Sequence, residues 1–401
     1  MRSAKPALVA ALAAFGLATP CHAQVSGDVV RIGLVVDLTS LYADVTGQGV
    51  IEAVKLAIAD AGGSINGKKI ELLTADYLNK ADVASGKARE WIDQSGVDLL
   101  MAATHSSAAL AIAKIAGDKK KPFLVVSTGT ARLTNEDCNA YTVHYAYDTV
   151  SLARSTGSAV VKQGGKSWYF LTADYAFGHA LEKDTSEVVK ANGGTVLGSV
   201  RHPISASDFS SFLLQAQASK AQILGLANAG GDMVAAIKVA REFGVTKTMK
   251  LAGLILLVND VHALGLELTQ GMYLTDSWYW DQNEASRTWS RRYFEKMKKA
   301  PNAIQASAYS ATGHYLAAVK ATGTDEADAV MARMKATPIK DMLTPHGVIR
   351  PDGRMVSDLY LRQVKSPEES HYPWDYFKGS TRVPGDQAFT TKAETKCALW
   401  K

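Results

Sequence analysis

VVRIGLVV, residues 29–36, followed at residues 49–61 by GVIEAVKLAIADA and then by Gly62-Gly63, decides the fold. The first run is apolar at nearly every position, the pattern of a strand buried on both faces rather than on one. In the second, Val50, Val54, Ala57 and Ile58 recur at helical spacing, and the glycine pair ends the helix. A buried strand followed by an amphipathic helix is the repeating unit of a parallel α/β sheet.

Working outward, the same alternation predicts strands at 69–74, 97–102 and 122–127, with helices at 82–94 and 107–116. It restarts after Tyr147 with strands at 167–173, 195–200, 222–227 and 250–256, separated by helices that include 178–191 and 231–243. Beyond Gly271 the pattern turns to helices at 285–299, 304–321 and 325–336, a turn at Pro351-Asp352-Gly353 and a strand at 359–364. The expected fold is α/β, with two doubly wound three-layer lobes joined by crossing hinge strands. The expected division is 29–147 plus 277–345 for one lobe, 148–276 plus 346–365 for the other, and an irregular strap over 366–401. Closure would hinge near Tyr147-Asp148 and Asp276-Ser277. Two such lobes enclose a cleft at the carboxyl ends of their strands, where open α/β sheets bind ligands.

At the N-terminus, Arg2 and Lys5 precede the apolar run 7–18 and the small-residue end Cys21-His22-Ala23, which reads as a secretory signal peptide over residues 1–23. The run is shorter than the roughly 20 residues that span a bilayer, and Pro20 argues against a lipid-modified Cys21. Losing Arg2 and Lys5 lowers the formal charge from +5 to +3. That balance gives no footing for nucleic acid or a membrane surface. An exported chain retaining Cys138 and Cys397 invites a disulfide between them, which would pin the tail.

Catalytic and metal signatures are missing from the sequence. No HExxH, GxSxG or CxxC spacing occurs, and the nine histidines are scattered. Gly164-Gly165-Lys166-Ser167 ends like a phosphate-binding loop, but Val160 stands where the first glycine belongs and a strand follows. Lys119-Lys120-Lys121 reads as a solvated turn. No catalytic residue, metal or cofactor is expected. What does stand out is hydroxyls at the ends of adjacent strands: His105, Ser106 and Ser107 after one, and Ser127, Thr128, Gly129 and Thr130 after the next. Hydroxyls beside helix N-terminal amides form a receptor for a carboxylate, although plain helix capping would use the same residues.

Arg31-Ile32-Gly33-Leu34 with Leu38-Thr39-Ser40, the stretch Thr172 to Gly178, Ser207-Asp208-Phe209-Ser210, Ala240 to Gly244 and Tyr309-Ser310-Ala311 follow one another in an order and spacing that resembles the branched-chain amino acid type of periplasmic solute-binding protein. The resemblance spans about residues 29–365. It implies the type I periplasmic binding fold, location in the periplasm, a monomer, a small-molecule ligand, and partnership with the permease and ATPase subunits of an ABC importer. It also implies a carboxylate held by Ser106, Ser107 and the 127–131 stretch, second-lobe contacts from Tyr175 or Phe177, and a loop at Asn228-Ala229.

Amino-acid binders of that family carry an acid after the strand that begins here at Lys250, to neutralise the ligand ammonium. This chain has Leu254-Ile255 there. A buried ammonium without a counter-charge costs several kcal/mol, so the expectation is an aromatic or otherwise hydrophobic carboxylate. Its apolar walls would come from Tyr42, Tyr147, Tyr309 and the Trp278-Tyr279-Trp280 run, with core packing as the competing role for each. A branched-chain amino acid or amide ligand, a sensor that reports to a receptor, and an exported hydrolase stay open as alternatives.

Overall fold

The computed structural model describes residues 25–401, so the signal-peptide expectation for residues 1–23 lies outside the described residues. The first sheet holds β1 (Val29–Val36), β2 (Ser64–Ile65), β3 (Lys68–Asp76), β4 (Leu99–Ala103), β5 (Phe123–Val125) and β6 (Thr142–His144) in the order β2-β3-β1-β4-β5-β6. All its pairings are parallel except the β2–β3 hairpin, and β1 lies between β3 (Val29 opposite Lys69) and β4 (Ile32 opposite Leu99). Every residue of β4 and β5 is buried, which is why these strands read as continuous apolar runs without alternation.

The second sheet repeats the plan with β7 (Ser167–Ala173), β8 (Thr195–His202), β9 (Ile223–Ala227) and β10 (Lys250–Gly253), all parallel, in the order β10-β9-β7-β8. Each sheet therefore has a point where successive strands depart in opposite directions, beside β1 and β4 in one and beside β7 and β9 in the other. Crevices open at such points, past the carboxyl ends of the strands.

Two large clusters of buried side chains mark the lobes. One joins Ile32, Leu34 and Met101 of the first sheet to Trp289, Ile304, Leu316 and Met334 from the helices Glu284–Met297, Ala303–Thr322 and Ala327–Ala336. The other joins Leu171 and Leu226 to Ile237, Leu274, Val364 and Phe377. The chain passes between them at residues 145–149, again between Trp278 and Tyr279, and a third time near residues 350–358.

The third passage enters a small antiparallel sheet formed by β11 (Tyr273–Asp276), β14 (Leu359–Val364) and β15 (Phe377–Val383), following a short β12 (Val348–Ile349) and β13 (Met355–Val356) hairpin. This corrects the expectation of an irregular strap from Ser366 onward: residues 377–383 form a paired strand. Its pairing with β14 shifts register between Leu361 and Gln363, and Gly379 has φ +68. Five of its seven residues are polar, charged or glycine, so no period-two signal was available. The remainder of the tail runs back to the first lobe, where Cys397 is bonded to Cys138 with Cα atoms 5.7 Å apart.

Candidate functional site

Strands β1, β4, β5 and β6 in one lobe and β7, β9 and β10 in the other deliver their following loops to a single tight cavity. From the first lobe come Tyr42, Val45 and Thr46 after β1, Thr104 to Ser106 after β4, Ser127 to Gly129 after β5 and Tyr147 after β6. From the second come Tyr175 and Phe177 after β7, Ala229 and Gly230 after β9, and Ile255, Leu257 and Asp260 after β10.

The lobes touch around this cavity. The Tyr42 and Tyr175 hydroxyls lie 2.6 Å apart, and the Gly231 N–H donates to the Leu41 carbonyl at 3.2 Å. The Asn259 amide donates to the Asp44 carbonyl at 3.3 Å and accepts from Asn302 at 2.8 Å. A Cβ on Gly230, whose φ is +59, would lie 2.8 Å from the Leu41 carbonyl oxygen, so only glycine allows this backbone approach. The arrangement is closed.

One wall presents unpaired polar groups at a helix N-terminus. The helix Ser106–Lys119 starts at the cavity, and its N-cap His105 accepts the Ala108 N–H on Nδ1 at 3.1 Å. Because Nδ1 accepts, the imidazole is neutral with its proton on Nε2, which donates to the Asn79 carbonyl at 3.1 Å; burial pushes its pKa down in the same direction. His105 thus shapes the wall and caps the helix. Beside it, Thr104 Oγ1 and Ser106 Oγ are buried without a hydrogen-bond partner. Unpaired buried hydroxyls are unfavourable unless something occupies them. A ligand oxygen at a helix N-terminus would do so.

The opposite wall carries a group that sequence reasoning missed. Asp260 is buried at the cavity, and its Oδ2 accepts the Leu257 N–H at 2.9 Å. Burial raises its pKa to about 7, against the lowering by that N–H and with a further push from Asp44. The expectation of a cleft with no acid is corrected here. Leu254-Ile255 do follow β10, but the chain turns and brings Asp260 in on the first turn of the next helix, Val258–Leu264. No spacing rule links a residue seven positions past a strand to a cavity wall.

Of the other sequence candidates, the structure places Tyr42, His105, Ser106, Ser127, Thr128, Gly129, Tyr147, Tyr175, Phe177 and Ala229 together on the wall, and it places seven elsewhere. Ser107 follows Ser106 on the helix but is not part of the lining, and Thr130 caps the turn Ala131–Thr134. Asn228 is buried beneath the loop, with Nδ2 at 3.1 Å from His202 Nε2. Leu254 is core, packed with Trp168 and Phe170. Trp278 donates to the Met342 carbonyl and stands edge-on to Trp289. Trp280 donates to the Trp374 carbonyl. Tyr309 donates to Asp60 at 2.6 Å. For these aromatics, packing won: each ring found a core or a partner outside the cavity.

A pH dependence follows from Asp260. Its folded pKa is raised above the ordinary carboxylate value of ~3.9, so between about pH 4 and 7 the folded form holds a proton that the unfolded chain has released. Stability from this group is present below that window and lost as pH rises through it. Buried Asp232 and Asp276, both raised to about 6 by burial, slope the same way. The expected result is that Asp260→Asn flattens the fall in unfolding free energy between pH 5 and pH 8, as measured by urea titration at each pH.

Known proteins place this geometry. A periplasmic binding protein family model matches residues 29–369. The chain is similar to a periplasmic binding protein from Burkholderia mallei, at 62% identity with a TM-score of 0.92 over 93% of this chain and 100% of that one. It is also similar to a branched-chain amino acid ABC transporter periplasmic ligand-binding protein from Burkholderia xenovorans, at 38% identity and TM-score 0.82, with 93% and 100% covered. A more distant likeness, of fold alone, is to an ABC transporter solute-binding protein from Rhodopseudomonas palustris solved with 3,4-dihydroxybenzoic acid, at 24% identity and TM-score 0.80 over 90% and 98%. With two doubly wound lobes, a closed cavity at their strand ends and a family match over most of its length, the chain belongs to the periplasmic binding proteins, the ligand-binding components of ABC transporters.

Proposed function

We propose that this protein captures a small organic carboxylate with a hydrophobic body, an aromatic acid foremost, and presents it in the closed form to the permease and ATPase subunits of an importer. The observation that carries this reading is the pair of unpartnered buried hydroxyls, Thr104 Oγ1 and Ser106 Oγ, at the start of the helix Ser106–Lys119. The rings of Tyr42, Tyr147, Tyr175 and Phe177 supply flat apolar walls for the rest of the ligand. The Rhodopseudomonas relative, solved with a dihydroxybenzoic acid, has a ligand of this kind.

A second reading, a branched-chain amino acid, is favoured by Asp260 and by the description of the Burkholderia xenovorans relative. The two differ in proton linkage. An ammonium bound against Asp260 displaces its proton, so affinity would rise with pH through about 7. A neutral ring or hydroxyl produces no such rise.

The test is a thermal-shift and calorimetric screen of benzoate, 4-hydroxybenzoate, L-leucine and L-leucinamide from pH 5.5 to 8.5. Ligand at about 100 times Kd adds ~2.7 kcal/mol of apparent stability. Carboxylates should stabilise the protein and leucinamide should not; equal binding of leucinamide would overturn the carboxylate reading. Ser106→Ala is expected to weaken the best carboxylate about 10-fold, ~1.4 kcal/mol, with the melting temperature of the empty protein unchanged or raised.

A further inference from the structure

The tail beyond β15 lies across the hinge. The turn Gly385–Ala388 packs on the turn Thr149–Leu152, which opens the first passage into the second lobe. A Cβ on Gly385 would lie 2.4 Å from the Ser357 carbonyl, on the third passage. Phe389 is buried under the Arg354 guanidinium, 4.3 Å from its ring centroid. Arg354 itself bonds the Ala146 carbonyl and faces Asp148 at 3.6 Å, so one side chain joins both passages to the tail.

Beyond Phe389, the tail is held on both lobes at once. Arg154, in the second lobe, donates to the Phe389 carbonyl at 2.9 Å and to Glu394 at 2.7 Å. On the first lobe, Asn135 accepts the Lys396 N–H, and Cys138 is bonded to Cys397. Between these two, Arg350 on the third passage donates to the Thr390 carbonyl at 2.9 Å and stacks on Trp400 at 3.9 Å.

We propose that residues 384–401 form a hinge clamp: the Cys138–Cys397 bridge anchors the tail on the first lobe, Arg154 grips it on the second, and together they bias the empty protein toward the closed arrangement. The reach of the chain sets the sign. Only three residue steps separate Glu394 from Cys397, at most about 10 Å when fully extended. Rotation about residues 146–149 and 350–358 moves Arg154 relative to Cys138, and this short tether cannot follow far before the Arg154–Glu394 contact parts. Every clamp contact is made while the cavity is closed, so parting them belongs to opening.

Small-angle scattering and hydrogen exchange on the empty full-length protein test the clamp without any ligand. Three proteins are compared: the wild type, Cys138→Ser with Cys397→Ser, and Arg154→Ala, which leaves the bridge intact. Both variants should shift to a larger radius of gyration and lose amide protection at residues 41–46 and 228–231, where the lobes meet. A bridge that only stabilises the fold would lower the melting temperature of the cysteine pair and leave the scattering of both variants at the wild-type value. That result would overturn the clamp.

Discussion

Gly129→Val is expected to remove high-affinity capture while leaving both lobes folded. A Cβ at this position would lie 2.4 and 2.6 Å from two ring carbons of Phe177 and 3.5 Å from Tyr147. Gly129 belongs to the loop after β5 and Phe177 to the helix after β7, so the crowding arises across the contact between the lobes, against a ring held in the second lobe's core. Opening the cleft relieves it. Overpacking of this kind costs about 1–3 kcal/mol, and at the upper end closure, and with it affinity, falls about 100-fold. Calorimetry on the variant checks the loss. Adding Phe177→Ala, which removes the obstructing ring, should restore part of the affinity; a double variant as weak as the single one would place the damage in the loop itself.

Arg354→Met carries the largest expected effect on stability. Arg354 and Asp148 are both buried. Burial pulls the Arg354 pKa down to about 10 and pushes the Asp148 pKa up, each toward its neutral form despite the opposite charge nearby. Desolvation therefore outweighs attraction, and the pair is no better than an apolar one of the same shape. Breaking it is another matter. Met would leave the Asp148 carboxylate buried without its cation, at about 3–5 kcal/mol, and would also strip the guanidinium from Phe389. Urea denaturation should show that loss, and Asp148→Asn added to Arg354→Met should recover a large part of it. The side-chain amide oxygen introduced by that change would still be able to accept the Ser151 N–H, as the Asp148 carboxylate does in capping the following turn.

Much of the architecture was legible because its signals are local. Strands buried on both faces and helices with one apolar stripe alternate along the chain, and the expected bounds for 167–173 and 359–364 coincide with the observed strands. Two of the bounds that missed did so at the site. The strand expected over 122–127 ends at Val125, and that expected over 250–256 ends at Gly253, because the apolar residues beyond them leave the sheet for the cavity and its supporting core. Hydrophobicity alone cannot tell a strand end from a wall.

The site itself was half legible, and the division is physical. Loop hydroxyls such as Ser106 and Ser127 could be placed because strand ends in open α/β sheets converge. Asp260 could not, since its approach depends on the turn taken after β10. Trp278, Trp280 and Tyr309 carry the same apolar signal whether they face a ligand or another ring, and only tertiary packing separates the two.

The bridge between Cys138 and Cys397 spans 259 positions, and apart from Cys21 these are the chain's only cysteines. As the chain is made, residue 138 emerges long before its partner, with no other thiol between them to pair with. The bond can form only after nearly the whole sequence has been delivered and the first lobe has met the tail. Oxidation therefore reports that residue 397 has been delivered and docked, and a molecule stalled or clipped before it would carry a free thiol at Cys138.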